Sequence, residues 1–267
     1  MQKTYRLILP VVVNKKQVDI CMKSLDVPKE NVIIIDNSQE QFMKEYELQG
    51  YKVLKVIIEG KVINLGTAKS WNLGIKEALK DTPDIVFIIN PSEDYISIKE
   101  QLIDHLDQAN EWGLRTSYLF HCFGFTPKLL NRVGLFDENF YPLYGEDNDF
   151  KYRIYLSHLE TGQPGYPLPR IEMKRGKFWG HAMSVLNGIK FNYTETKRYY
   201  HEKWGGDPTA KCKYTEHKRP FGDQEISYWP RVTVKELKKR YGEGIGESID
   251  VNDPYHKNEV RRLIANR

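Results

Sequence analysis

Apolar and polar positions follow two rhythms along the first half of the chain. Consecutive apolar, often β-branched residues occur at "YRLILPVVV" (5–13), "NVIIID" (31–36), "YKVLKVII" (51–58), "DIVFIIN" (84–90) and "SYLFHCFGF" (117–125). Runs of this length and composition predict buried strands. Between them, apolar residues recur three and four positions apart, the spacing of an amphipathic helix. Residues 16–25 place Val18, Cys21, Met22 and Leu25 on one face, and residues 67–79 do the same with Ala68, Trp71, Ile75 and Leu79. Ser38 and Gln41 form a capping box that opens a helix in "SQEQFMKEYEL". Residues 98–109 predict a further helix, and Pro91 stops the fourth strand.

Strands alternating with helices, the strands apolar throughout, predict an α/β fold: a mostly parallel sheet covered on both faces. Ligands of such sheets bind beyond the carboxyl ends of the strands. The residues at those ends are Asn14, then Asp36-Asn37-Ser38, Asn64-Leu65-Gly66, and Asn90-Pro91-Ser92-Glu93-Asp94. Beyond about residue 160 the rhythm fades. "TGQPGYPLPR" is a Pro/Gly-rich break, and residues 174–230 are aromatic and basic without a period. "TVKELKKRY" (233–241) predicts a short helix. The chain is expected to divide into an α/β domain over 1–182 and a basic, aromatic extension over 183–267.

Composition excludes several classes. At 267 residues, 40% hydrophobic and 12% aromatic, the chain has enough apolar material for a large core, which argues against global disorder. Cys21, Cys122 and Cys212 are far apart and odd in number, which gives neither a disulfide framework nor a zinc pattern. The N-terminal apolar run lacks the form of a signal peptide, and no stretch reaches the length of a membrane span. The expectation is a soluble, cytoplasmic protein. Charge is uneven. Residues 1–169 hold 19 Lys and Arg against 23 Asp and Glu, net −4, whereas residues 170–267 hold 21 against 13, net +8. The C-terminal third is the candidate surface for an acidic partner, or a solvated basic face.

Four short stretches carry candidate chemistry. Asp36, closing a buried strand, can accept from a ribose hydroxyl or a base imide, although Asp-Asn-Ser is also ordinary turn chemistry. Gly66 permits close backbone approach before a helix whose N-terminus can receive phosphate, with Asn72 two turns in; an ordinary Gly loop and amphipathic helix read the same. Glu93 and Asp94, with Asn90, are oxygen ligands suited to Mg²⁺ or Mn²⁺, or simply an acidic loop. "GEDNDFKYR" packs Glu146, Asp147 and Asp149 into four positions. In a helix Asp149 pairs with Arg153, and acidic residues in the first turn suit the macrodipole. Asp147 points elsewhere; a carboxylate in a crevice beside Glu146 should have a raised pKa, as suits a general base.

The order of these stretches resembles that of family 2-type glycosyltransferases with the GT-A fold. The resemblance rests on "DNS" (36–38), "NLGTAKSWNLG" (64–74), "NPSED" (90–94) and above all "VGLFDENFYPLYGEDNDFKYR" (133–153), and covers roughly residues 5–182. It implies an inverting hexosyl- or pentosyltransferase that uses a nucleotide sugar, a UDP-sugar first among them. Asp36, Ser38, Asn64, Gly66, Asn72 and Asn90 would line the donor site. Asp147 would be the catalytic base, with Glu146 beside it. Glu93, Asp94 and His181 would hold Mg²⁺ or Mn²⁺. Two positions depart from the family: Ser92 replaces the usual metal-binding Asp, and Trp71 replaces a frequent Arg.

Three acceptors remain open: a glycan, a lipid-linked sugar, and hydroxymethylated bases of viral DNA. "KRYYHEKWGG" and "KCKYTEHKR" interleave cations with rings, as backbone-tracking and stacking surfaces do. Lys197, Arg198, Lys203 and Trp204 are the candidate acceptor or phosphate contacts. A catalytically silent nucleotide-binding domain is the rival reading from another class; Ser92 favours it and the intact Glu146-Asp147 pair opposes it.

Overall fold

The computed structural model describes residues 3–12, 15–38, 43–91, 93–95, 115–116, 122–161, 175–178, 193–204 and 255–265. Its elements are β1 Tyr5–Val11, α1 Lys15–Leu25, β2 Val32–Asp36, α2 Met43–Leu48, β3 Lys52–Leu54, β4 Ile57–Ile58, β5 Lys61–Val62, α3 Thr67–Leu79, β6 Ile85–Ile89 and β7 Glu93–Tyr95. They continue with β8 Arg115–Thr116, β9 Cys122–Phe125, α4 Pro127–Val133, α5 Glu146–Thr161, β10 Arg175–Phe178, α6 Tyr193–Trp204 and α7 Lys257–Ala265.

The main sheet has the order β3-β2-β1-β6-β9-β8. β3, β2, β1 and β6 are parallel, and β9 runs antiparallel to β6. The expected mostly parallel α/β sheet is therefore present. Strand periodicity sorts the apolar runs onto two faces. Ile8, Ile33, Ile35, Val86 and Ile88 pack with α3, α4 and α5. Leu7, Leu9, Val11, Val32, Ile34, Ile85, Phe87 and Ile89 pack with α1 and α2. Both faces are covered, which is why β2 and β6 are buried at every position. The helical stripes read from the sequence also face inward: Val18, Cys21 and Leu25 in α1, and Ala68, Trp71, Ile75 and Leu79 in α3. α3 lies so close to β1 that a Cβ on Gly74 would stand 2.5 Å from Ile8 Cγ2.

Three expectations change. The run 51–58 is not one strand. Only β3 joins the sheet, while Ile57–Ile58 and Lys61–Val62 pair as a separate hairpin. Its turn residues Glu59 and Gly60 both have positive φ, the geometry of a tight two-residue hairpin turn. Second, the fifth strand is described only over Cys122–Phe125 and runs against its neighbour. Third, the described parts of the 183–267 extension are packed into the domain. Val260 of α7 belongs to the same core cluster as Ile8 and Ile33. Tyr199, Tyr200 and Trp204 of α6 form a cluster with Phe140 and Tyr152. The Ser38–Gln41 capping box and the helices expected over 98–109 and 233–241 lie outside the described residues.

Candidate active site

The site begins where β2 ends. Ser38 donates its backbone N–H and its hydroxyl to Asp36 Oδ1, at 2.9 and 2.6 Å. Burial raises the Asp36 carboxyl above its ordinary value, against the lowering effect of those two bonds. Asn37 then crosses to the next motif. Its Nδ2 donates to Ser70 Oγ at 3.0 Å, and its Oδ1 accepts from Leu65 N at 3.0 Å. Asn64 Oδ1 accepts from Gly66 N at 2.9 Å, while Asn64 Nδ2 is buried without a hydrogen-bond partner. A buried unsatisfied donor at the end of a parallel sheet is a place for a ligand acceptor.

Gly66 is required here on two grounds. Its φ is +74°, and a Cβ would stand 2.7 Å from Pro142 O and 2.8 Å from Tyr141 Cδ2. The next residue donates Thr67 N to Pro142 O at 2.7 Å. The segment 141–142, just before the acidic turn, therefore rests on the entrance to α3. With Leu65, Gly66 and Thr67 N–H groups all bonded within the protein, none of those three is available to a phosphate.

Asn72 is not a donor-site residue. Its Nδ2 donates to Phe136 O and Glu138 Oε1, both at 2.9 Å, and its Oδ1 accepts from Phe136 N at 2.9 Å. It ties α3 to the 136–138 turn. Trp71, at the position where the family often has Arg, is a core residue, its ring edge-on to Phe136 at 4.8 Å. Asn90 is half-buried at the end of β6.

The acidic turn opens α5. Gly145, with φ +96°, permits the approach of Phe140, whose Cδ1 would meet a Cβ at 2.7 Å. The three carboxylates that follow differ sharply. Asp149 is fully buried, and accepts from Arg153 Nε and Trp204 Nε1, each at 2.9 Å, and from Lys203 Nζ. Glu146 is buried too, with Oε2 unpartnered. Burial, then the charges of Asp147 and Asp149, push its carboxyl well above the ordinary value. Asp147 is the accessible member, 22% exposed, with Oδ2 at 3.0 Å from Lys151 Nζ.

Beneath this turn lies a network that the sequence reading missed. Asp137 Oδ2 accepts from Lys203 Nζ at 2.8 Å and Tyr199 OH at 2.7 Å. Asp137 Oδ1 accepts from Asn139 N at 2.9 Å and Asn139 Nδ2 at 2.8 Å. Burial alone would raise the Asp137 carboxyl; the charge and hydrogen bond of Lys203 outweigh burial and lower it. Arg153 extends the network by donating to Leu135 O at 2.8 Å and to Val133 O. The signal for it lay at the two ends of the quoted motif, Asp137 and Arg153, together with Lys203 and Trp204 at the end of α6.

That network corrects the acceptor assignment. Lys203 is 0% exposed, and Trp204 is also buried. Neither side chain can reach a phosphate or fill a gap in a base stack. Arg198 is exposed and lies 3.8 Å from Glu202, and Lys197 is half-buried. Ser92, His181 and the side chains of Glu93 and Asp94 lie outside the described residues. Among the described residues no group of three or more His, Cys, Asp or Glu side chains could hold a metal ion. No helix among them is long and apolar enough to cross a membrane.

No family model matches the sequence, and no curated protein does. Among solved structures, the chain is similar to a mannosyltransferase from Pyrobaculum calidifontis, in complex with GDP-Man and Mn²⁺. The identity is 15%, covering 58% of this chain and 52% of that one, with a TM-score of 0.45. It is similar to residues 1–349 of S. aureus TarS at 17% identity, covering 58% and 56%, with a TM-score of 0.43. A mannose-1-phosphate geranyltransferase from Thermus thermophilus matches at 13% identity, covering 61% and 68%, with a TM-score of 0.39. The chain spans about half the length of the first two structures.

Two outcomes follow from the charges of the site. Lys203→Met leaves Asp137 and Asp149 buried without their shared cation, and should destabilise the fold by about 3–5 kcal/mol in urea unfolding. A lysine on a solvated basic face would cost under about 0.5 kcal/mol. Glu146 supplies a pH signature. Its carboxyl is raised in the folded state, so its protonated form contributes stability that is complete below the ordinary value of 4.5. That contribution is lost as pH climbs toward the raised value. Glu146→Gln should flatten this descent in a series of thermal unfolding curves from about pH 4 to about pH 9.

Proposed function

We propose that the chain is an inverting glycosyltransferase that moves a sugar from a nucleotide-sugar donor to an acceptor hydroxyl. The observation that carries this reading is the convergence of three distant motifs. Asp36-Asn37-Ser38 is joined to Leu65 and Ser70 by Asn37, and Gly66-Thr67 is joined to Pro142 at the threshold of Glu146-Asp147. Asp36 and the unpartnered Asn64 Nδ2 offer one acceptor and one donor at the carboxyl end of the sheet, where a nucleotide binds in such folds.

In this reading Asp147 is the base. It is the carboxylate of the acidic turn that solvent reaches, and its contact with Lys151 fixes its orientation. Asp147 takes the proton from the acceptor hydroxyl as that oxygen attacks the anomeric carbon. The bond from that carbon to the phosphate oxygen breaks, its electron pair leaves with the nucleoside diphosphate, and the configuration inverts. Burial and the charges of Asp147 and Asp149 raise the Glu146 carboxyl beside the base.

The donor site extends to Asn90 and, for a divalent ion, to Glu93, Asp94 and His181. The ladder supports that grouping. Phe178 of β10 is registered opposite Glu93 of β7, and His181 follows three positions after Phe178. Asp149 and Asp147 are already paired, the first with Arg153 and Lys203 and the second with Lys151. When bound, Mg²⁺ or Mn²⁺ would supply counter-charge for the departing diphosphate. A UDP-sugar is the donor we place first. We place a glycan or lipid-linked sugar before modified DNA as acceptor, because two of the four candidate acceptor or phosphate contacts, Lys203 and Trp204, are buried and cannot track a nucleic-acid backbone.

A panel of nucleotide sugars, read by donor hydrolysis and by transfer to mixed glycan acceptors, tests the reading. Asp147→Asn should keep nucleotide binding and lose about 10²-fold or more in turnover. Near-normal turnover in that variant removes Asp147 from the role, and the absence of any binding or hydrolysis of nucleotide sugars removes the enzyme. Excess chelator should abolish transfer, and added Mn²⁺ or Mg²⁺ should restore it; full activity in chelator would show that no divalent ion takes part.

A further inference from the structure

The C-terminal segment 255–265 returns to the network beneath the acidic turn. Tyr255 O accepts from Leu135 N at 2.7 Å. Gly134, with φ +75°, makes room for that approach: a Cβ there would stand 2.5 Å from both Tyr255 Cβ and Tyr255 O. His256 follows with a left-handed φ of +53° and turns the chain into α7. α7 is held in turn by Val260 in the core and by Lys76, which meets Glu259 at 2.7 Å. Tyr255 is therefore fixed from both of its flanks.

Its ring meets both cations that neutralise Asp149. The guanidinium carbon of Arg153 lies 3.9 Å from the ring centroid, and Lys203 Nζ lies 4.7 Å from it. Among the described residues no other ring is as near to either cation. Phe150 stands 5.2 Å from Arg153, and Trp204 stands 5.2 Å from Lys203. The in-plane donors of Arg153 go to Asp149, Val133 and Leu135, so a ring is the partner its face can take. Two cations on one carboxylate repel each other, and the negative face of an aromatic ring attracts both. From there the path to the acidic turn is short. Asp149 N donates to Gly145 O at 2.8 Å, which closes the first turn of α5, and Asp147 lies within that turn.

We propose that Tyr255 is a positioning residue for the acidic turn. Its ring clamps Arg153 and Lys203 against Asp149, and so holds the turn that carries Asp147. The link to catalysis rests on the glycosyltransferase reading above. The end of the chain is then part of the catalytic unit, and it acts on the base through two buried cations without touching a substrate.

The test grades the ring at position 255 in the full chain. Tyr255→Leu keeps apolar bulk and removes the π face, whereas Tyr255→Phe keeps that face. Phenylalanine carrying one, two or three ring fluorines at this position keeps the shape and weakens the negative face stepwise. The readouts are amide hydrogen exchange and steady-state transfer from the donor identified in the nucleotide-sugar panel. Tyr255→Leu should speed exchange at Asp149 by about tenfold more than at Ile34 in β2. It should lower kcat by about threefold to tenfold and leave the donor KM within about twofold of wild type. Tyr255→Phe should retain both properties, and each added fluorine should move both toward the Tyr255→Leu values. Leu263→Ala, which trims α7 where it packs on the core, should lower the unfolding temperature and speed the two amides alike. Exchange that does not follow fluorination would overturn the clamp, as would the same local signature in Leu263→Ala; Tyr255 would then be plain filler. Fluorine-dependent exchange with an unchanged kcat would overturn the link to the base. Exchange is read without substrate, so the clamp is decided separately from the panel that decides the enzyme.

Discussion

One fully buried carboxylate organises the lower half of this molecule. Asp149 accepts from Arg153, Lys203 and Trp204 at once. The donors come from two helices. Arg153 lies one turn further along α5 and carries the bond on to the carbonyls of Val133 and Leu135. Lys203 and Trp204 close α6, and Lys203 passes to Asp137. A carboxylate at zero exposure is very costly unless it is paired and saturated with donors. Once saturated, it fixes the first turn of α5, the 133–137 segment and the end of α6 as one unit. The two other carboxylates of that turn take their positions from this anchor.

The upper half is organised by close backbone approach. Gly74 lets α3 settle onto β1, and Gly66 lets the 141–142 segment rest on the entrance to α3. Asn72 then bonds the middle of α3 to the 136–138 turn. The same helix therefore contacts the sheet, the 64–66 loop and the 136–142 segment. A shift of α3 would move all three, so Gly66 and the acidic turn keep a fixed relation although about 80 residues separate them.

Much of this was legible in the sequence, and the failures have identifiable causes. β1, β2 and β6 were visible because both faces of a central strand are covered and all positions but Arg6 in β1 and Asp36 in β2 are apolar or aromatic. α1 and α3 were visible because only one face of each is. The run 51–58 misled because a hairpin outside the sheet is just as apolar; the "EG" turn at 59–60 was the overlooked signal. The "KRYYHEKW" stretch misled for a deeper reason. Cations interleaved with rings can mark a nucleic-acid surface, yet Tyr199, Tyr200, Lys203 and Trp204 fall at i, i+1, i+4 and i+5, one side of a helix. Arg198, His201 and Glu202 occupy the exposed side. Periodicity separated the two readings, and composition did not. Asn72 could not be placed from sequence, since its partner, the backbone at Phe136, lies 64 residues away.

The acidic cluster in 146–149 raises a problem of repulsion, and the fold solves it three times over. Asp149 is neutralised by paired cations. Glu146, which the same burial leaves with an oxygen lacking any hydrogen-bond partner, has its carboxyl raised by that burial and by the charges of Asp147 and Asp149. Asp147 is left at the surface with a single lysine and access to solvent. Three carboxylates within four residues thus end in three different electrostatic states. The gradient runs from the saturated Asp149, through the buried Glu146, to the open Asp147. Burial, rather than the identity of the side chains, therefore decides which member of the cluster can meet a substrate.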